Sequence, residues 1–150
     1  MQKKTSSTQI PKYERDLVEP VADYLRAIGC DQVVHELKFF DRGIDVYGVK
    51  TSGRRPVTFA VELKLTKWNR ALQQAAIYQL CCDFSYVAMP LKAVQSLDPS
   101  AFRSAGIGLL FIRTDGTVGE MVEAKQSLEA RRHYIDALSR ATLEELVYAV

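Results

Sequence analysis

The sequence predicts an α/β fold in which helices flank a mixed central sheet. Three observations carry that prediction: a helical apolar pattern near the N-terminus, three strand-like segments after it, and a second helical segment placed before a further apolar strand. Short turns join antiparallel strands, whereas a helix between two strands joins parallel ones. The predicted order of helix, three strands, helix and strand therefore requires both kinds of pairing in one sheet.

The length and composition fit a single folded domain. The chain has 150 residues, of which 47% are hydrophobic and 25% are charged, so it has enough apolar material for a core and too much for a disordered protein. We expect residues 1–11 to be a flexible arm and residues 12–150 to form the domain. The core would span about residues 12–90, with additional strands and helices at 91–150.

The first helix is predicted from Tyr13 to Ile28, and Gly29 is a plausible stop signal. Pro20 falls inside the pattern and is expected either to kink the helix or to begin a second piece of it. The apolar residues with helical spacing are Leu17, Val18, Val21, Leu25 and Ile28.

Three strands are predicted next, at 32–40, 43–49 and 57–65, with turn residues around 41–43 and at 51–56. The third strand alternates strictly, which predicts two distinct faces. One face would carry Val57, Phe59, Val61, Leu63 and Leu65, and the other Thr58, Ala60, Glu62 and Lys64.

The rest of the chain predicts a helix, three strands and a helical C-terminus. The helix spans 68–82 and precedes a buried strand at 84–90. Strands at 106–114 and 117–124 are joined by a hairpin signal at Asp115–Gly116. The C-terminus is expected to be helical from Ser127, with a break near Ser139.

Two acidic residues and a lysine form the constellation that predicts chemistry. Glu62 and Lys64 share one face of the third strand, and Asp45 in the preceding strand is expected to point away from the face of Ile44 and Val46. If these strands pair, the carboxylates converge and repel, and Mg²⁺ is a natural counter-charge. The alternative is a solvated sheet face with a cross-strand ion pair.

The E-x-K spacing alone carries little information, because it occurs three times in this chain. Only Glu62 combines an apolar alternating strand with an acid-bearing strand one hairpin upstream. On Asp45 in GIDVYG and on Glu62 and Lys64 in VELK, the sequence resembles the PD-(D/E)XK nuclease superfamily, which includes archaeal Holliday-junction resolvases. The resemblance covers roughly residues 12–90, and Ile44 stands where the name-giving proline would be.

The resemblance implies a restriction-endonuclease-like core and a metal-dependent site. Asp45, Glu62 and the backbone carbonyl of Leu63 would hold Mg²⁺, with Mn²⁺ as an alternative, and Lys64 would act on the attacking water. The family often adds a glutamate from the first helix. We favour Glu14, which shares the apolar stripe, over Glu19, and expect it to be an outer ligand of the metal or of the water. A first-turn glutamate favoured by the helix dipole is an equal alternative.

Further residues are candidates for the site and for binding DNA. Gln74, in a Gln-Ala context, resembles a family glutamine that meets the catalytic acid or lysine. Lys67, Arg70 and Tyr78 share its polar helical stripe, for which phosphate contact and a solvated surface are equally supported. Arg54 and Arg55 occupy a loop tip where they would hold backbone phosphates, or else serve solubility.

The charge distribution favours a nucleic-acid partner more than the net charge does. The whole chain carries +2, but residues 38–70 carry +5 and the remainder −3. The three cysteines, an odd number without C-x-x-C spacing, argue against a disulfide scaffold or a thiolate zinc site. No apolar run reaches membrane-spanning length, so we expect a cytoplasmic protein with no membrane contact.

The sequence therefore predicts a Mg²⁺-dependent endodeoxyribonuclease that acts on DNA as a homodimer. Dimerisation is implied by the resemblance, because two sites are needed to cut two strands. The rival interpretation is a non-catalytic module that uses the same fold to bind nucleic acid or protein. RNA cleavage is a lesser enzymatic alternative.

Overall fold

A computed structural model describes residues 11–148, and the predicted arm, except Pro11, lies outside them. A short 3₁₀ helix, Glu14–Leu17, leads into helix α1, Val18–Ala27. Strands β1, β2 and β3 follow at Gln32–Phe39, Arg42–Lys50 and Val57–Leu63. The remaining elements are α2 (Trp68–Tyr78), β4 (Phe84–Pro90), α3 (Leu91–Gln95), α4 (Ser100–Ala105), β5 (Gly108–Ile112), β6 (Val118–Val122) and α5 (Arg132–Tyr148).

The six strands form one mixed sheet in the order β1-β2-β3-β4-β5-β6. Strand β2 is antiparallel to both β1 and β3, β6 is antiparallel to β5, and β3, β4 and β5 are parallel. Helix α2 makes the crossover from β3 to β4, and the pair α3–α4 makes the crossover from β4 to β5, as parallel neighbours require. The predicted α/β fold, a mixed sheet flanked by helices, is confirmed.

Helices bury both faces of the sheet. Helix α1 packs Val21 and Leu25 against Val46 and Val61 on one face. The opposite face is covered by α2, α3 and α4 towards β5, and by the end of α2 and by α5 towards β1. Both sides of β3 are consequently buried. The face that carries Glu62 is therefore not the solvated surface of the alternative interpretation.

Helix boundaries differ from the prediction for local reasons. Pro20 lies in the first turn of α1, where its missing N–H leaves no hydrogen bond unmade, so the 3₁₀ helix and α1 are two pieces. Helices α3 and α4 were not predicted. The last helix begins at Arg132 and runs through Ser139 without a break. Ser127 is instead held by bonds from its amide to the Asp83 carbonyl and from its hydroxyl to the Gln79 carbonyl.

Within residues 11–148, no helix combines the length and apolar content needed to cross a membrane. All three cysteines are buried and free. The burial raises the pKa of Cys30 and of Cys81 to about 12, so these thiols are neutral at physiological pH.

A buried polar pair connects the start of β3 to the start of β4. The Asp83 carboxylate accepts bonds from the amide of Thr58 at 2.8 Å and from its hydroxyl at 3.0 Å. The Asp83 amide lies 3.0 Å from the same hydroxyl and 3.1 Å from the Thr58 carbonyl. Both residues are buried, so the pair fixes where β4 begins beside β3.

We predict that Asp83→Ala destabilises the protein by about 1–3 kcal/mol, because it leaves the buried Thr58 amide without an acceptor. Urea denaturation followed by circular dichroism measures the change. The matched control is Asp23→Ala on the exposed side of α1, which should cost less than about 0.5 kcal/mol. Equal effects of the two substitutions would contradict the structural role of Asp83.

Candidate active site

The candidate site lies where the ladder between β2 and β3 ends. The last backbone pair is Val46 with Val61. One residue farther, the Asp45 carboxylate accepts the Leu63 amide at 2.8 Å. A side chain therefore replaces the backbone acceptor that a continued ladder would supply. Asp45 is consequently held in the plane of the sheet, beside the residue that follows Glu62.

The backbone pairing of β1 and β2 is irregular beside Asp45. Glu36, which lies opposite Asp45 between two regular pairs, has a left-handed φ of 56°. Ile44 packs into the core on the α5 face, whereas Val46 packs under α1. The prediction that Ile44 and Val46 share a face is therefore wrong, and the change of face allows the Asp45 side chain to reach β3.

Glu62 is fixed by a tyrosine from α2. The Tyr78 hydroxyl lies 2.8 Å from Glu62 Oε1 and 3.2 Å from the Gly43 carbonyl oxygen. Tyr78 is fully buried, so it does not belong to a solvated stripe and is not positioned to touch DNA. The prediction that Tyr78 contacts nucleic acid is corrected: its hydroxyl faces the acidic pair, because it lies on the side of α2 that packs on the sheet.

The two carboxyls sit in an environment that disfavours their charge. Burial, followed by the nearby Asp45 carboxylate, raises the pKa of Glu62 to about 7. Burial also raises the pKa of Asp45, the Leu63 amide opposes that rise, and the Glu14 carboxylate adds to it. Repulsion between buried carboxylates is relieved either by a proton or by a cation.

Lys64 and Glu14 approach this pair from the α1 side. Lys64 follows the last residue of β3, and its amide donates to the Ala88 carbonyl of β4 at 3.2 Å. Its ammonium lies 3.8 Å from Glu14 Oε2 in the 3₁₀ helix. The structure therefore brings Glu14 to the same end of the sheet as Asp45, Glu62 and Lys64. Glu19, on α1, makes no ion pair with Lys64 and is not among the charges that act on Asp45.

Gln74 meets a residue that sequence reasoning missed. Its side-chain oxygen accepts a hydrogen bond from the Arg42 guanidinium, rather than meeting Asp45, Glu62 or Lys64. Arg42 begins β2, and its positive charge opposes the rise in the pKa of Tyr78. Nothing in the sequence marked Arg42, since the contact depends on where β2 begins beside α2.

The four predicted DNA-binding cations fall into two groups. Lys67 and Arg70 are exposed at the start of α2, close in the chain to Lys64. Arg54 and Arg55 lie beyond the Lys50–Val57 pair, at the other end of the β2–β3 hairpin. Asp45 and Lys50 are five positions apart in β2, which is about 17 Å of strand. The structure therefore does not bring this arginine pair to the site.

The donor set fits a hard divalent cation. Among residues 11–148, no group of three or more His, Cys, Asp and Glu side chains is placed to hold a metal. Two adjacent carboxylates remain, each with one oxygen not engaged by the Leu63 amide or the Tyr78 hydroxyl. Mg²⁺ is commonly bound by one or two carboxylates and keeps several waters.

The raised pKa of Glu62 predicts how the site affects stability. An unfolded glutamate ionises near its ordinary pKa of 4.5, whereas the folded one holds its proton to about pH 7. The stability that Glu62 contributes is therefore present below pH 4.5 and lost as the pH rises through 7. In EDTA, Glu62→Gln should raise the melting temperature at about pH 8 and change it little at about pH 4.5.

The control for that experiment is Glu19→Gln, because Glu19 is an exposed glutamate of α1. Its effect on the melting temperature should be small at both pH values. If Glu62→Gln changed the melting temperature as little as Glu19→Gln at both pH values, burial would not raise the pKa of Glu62.

Comparisons with known proteins bear on the fold alone. No family model matches the sequence, and no curated protein matches it. A solved structure of SPO1766, a protein of unknown function from Silicibacter pomeroyi, is similar, with a TM-score of 0.69 at 19% sequence identity. The match covers 92% of this chain and 89% of that one. This chain therefore shares its overall fold with SPO1766.

Proposed function

We propose that this protein is a metal-dependent endodeoxyribonuclease with a restriction-endonuclease-like core. One observation carries the proposal: two desolvated carboxylates, Asp45 and Glu62, meet at the end of the β2–β3 ladder with Lys64 directly after the strand. When both carboxyls are ionised, a divalent cation relieves their repulsion, and a lysine beside them is suited to phosphodiester chemistry.

The order of elements supports this proposal. A helix, three antiparallel strands, a crossover helix and a parallel strand occupy residues 14–90. That is the arrangement that the resemblance to the PD-(D/E)XK superfamily implies, and the three motif residues lie at one end of it. The cations Lys67 and Arg70 are exposed beside the same end and suit the contacts with a phosphate backbone that position a strand.

The chain supplies distinct groups to the reaction. Asp45, Glu62 and the Leu63 carbonyl would hold Mg²⁺ or Mn²⁺, which when bound polarises the scissile phosphate and stabilises its developing charge. The Leu63 amide and the Tyr78 hydroxyl keep the two carboxylates in place. The Lys64 ammonium orients the attacking water, and Glu14 at 3.8 Å restrains that ammonium.

The proposal includes association of two copies. On α5, Leu143, Leu146 and Val147 are exposed apolar side chains at helical spacing. A second copy that covered this stripe would remove it from water. Two sites related by a two-fold axis would then be available for the two strands of DNA.

We predict that Asp45→Asn and Lys64→Ala each abolish Mg²⁺-dependent cleavage of DNA while leaving the protein folded. Asp45→Asn removes a negatively charged metal ligand. Lys64→Ala removes the ammonium of the residue that directly follows β3. Incubation with linear, circular and four-way-junction DNA, analysed by gel electrophoresis in Mg²⁺ and in Mn²⁺, measures the loss.

The matched controls are Asp23→Asn and Lys125→Ala, which alter exposed residues outside the site. They should cleave as the wild type does. Cleavage by Asp45→Asn or Lys64→Ala at the wild-type rate would contradict the assignment. Retained DNA binding without any cleavage by the wild type would favour the non-catalytic module instead.

Tyr78 provides a separate test of the geometry. Tyr78→Phe keeps the buried ring but removes the donor to Glu62 Oε1. Because partners that hold a metal ligand typically contribute 10–100-fold to metal affinity or activity, the Mg²⁺ concentration for half-maximal cleavage should rise by about that factor. An unchanged Mg²⁺ dependence would mean that the Tyr78 hydroxyl does not position Glu62.

A further inference from the structure

Phe40 occupies a position that stability does not explain. It is the first of the two residues that join β1 to β2, and its φ is 57°. Glycine is preferred at the first position of a two-residue turn with positive φ there, because a side chain is strained in that conformation. Phe40 is also 70% exposed. A strained backbone that presents a large ring to water indicates a contact made by that ring.

The ring packs against other aromatic side chains. Phe39, Phe40 and Tyr134 form an edge-to-face trio with centroid separations of 4.8, 5.3 and 5.5 Å. His133, which is exposed, lies 4.1 Å from the Tyr134 ring. Phe39 is buried and anchors the trio in the core between β1 and α5. Phe40 is therefore the exposed member of a fixed aromatic cluster.

Positive charge surrounds this cluster and connects it to the site. Arg131, directly before α5, and Arg132, its first residue, are exposed and precede Tyr134 by three and two residues. Arg42 faces Phe39 across the turn and bonds to Gln74 in α2. The acids on the same segments are Asp41 in the turn, Glu129 before Arg131, and Asp136, which pairs with Arg132 at 3.8 Å. Among residues 11–148, neither Arg42 nor Arg131 forms an ion pair, so both charges are available to a phosphate.

The cluster lies close enough to the acidic pair for one strand of DNA to touch both. Phe40 lies five residues before Asp45, which is about 17 Å of extended chain, and it is at the end of β2 opposite to Lys50. That span corresponds to about five stacked bases at 3.4 Å each. A phosphate at Asp45 and Glu62 would therefore place a base only a few nucleotides away over Phe40.

We propose that Phe40, supported by Tyr134 and flanked by Arg42 and Arg131, is a stacking platform for an unpaired base of the DNA substrate. Aromatic rings stack on any base that is free of its partner, and neighbouring cations hold its backbone. A base in a continuous duplex is already stacked and paired, so it cannot use the platform. The inference rests on the proposed nuclease function and assigns its substrate class: DNA with a single-stranded segment beside the scissile phosphate.

The test measures binding, so that it does not depend on cleavage. Fluorescence anisotropy in EDTA compares a labelled oligothymidylate with a hairpin duplex of similar length, using the full chain. Phe40→Leu keeps apolar bulk against Phe39 but has no ring. It should weaken oligothymidylate binding about tenfold and leave duplex binding unchanged. Phe40→Trp should restore or exceed wild-type affinity for the single strand.

The matched control is Leu128→Ala, because Leu128 is an exposed apolar residue on the segment before α5; it should change neither affinity. Equal affinities of Phe40→Leu and wild type for oligothymidylate would overturn the platform. Loss of a dimer in Phe40→Leu, seen by sedimentation with oligothymidylate binding intact, would overturn it in favour of a self-association surface. A ring-dependent preference for single strands in a protein that cuts no DNA would retain the platform and reject the nuclease.

Discussion

The hydrogen bond from the Leu63 amide to the Asp45 carboxylate determines the geometry of the candidate site. It ends the β2–β3 ladder by giving a backbone donor a charged acceptor in place of a carbonyl. Since the next residue along β2 packs on one face of the sheet and the previous residue on the other, Asp45 is held between the faces. Glu62 and Lys64, on either side of Leu63, are thereby set beside the same carboxylate.

The surrounding structure holds this arrangement at an electrostatic cost. Burial under α2 and the proximity of the two carboxyls raise the pKa of Glu62, and burial raises that of Asp45. A fold selected for stability alone would place apolar residues there, as at Val46 and Val61. Retaining two unfavourable carboxyls is typical of a site whose charge is neutralised by a ligand. The strained backbone of Glu36, opposite Asp45, belongs to the same pattern.

The sequence predicted the sheet well because its elements are defined locally. Strand β3 was recognisable from its strict alternation, and the crossover helix α2 from its composition and place in the order. The short helices α3 and α4 were missed, and α5 was started too early at Ser127. That segment is held by bonds to Asp83 and Gln79, which are distant in sequence. Contacts of this kind leave no local signal.

The site was predictable in its residues and less so in its contacts. Asp45, Glu62 and Lys64 were singled out by strand context, and Glu14 by its helical stripe. Tyr78 was predicted to contact DNA because it shares a helical stripe with Lys67, Arg70 and Gln74, but its burial depends on how α2 packs on the sheet. Arg54 and Arg55 were grouped with the site by sequence proximity, but the length of the hairpin separates them from it.

We propose that Asp45 and Glu62 together hold a divalent cation. Isothermal titration calorimetry with Mn²⁺, on the wild type and on Asp45→Asn, tests it most directly. We expect saturable binding near one equivalent by the wild type, and affinity at least about tenfold weaker in Asp45→Asn. No uptake by the wild type, or equal affinity in Asp45→Asn, would contradict it.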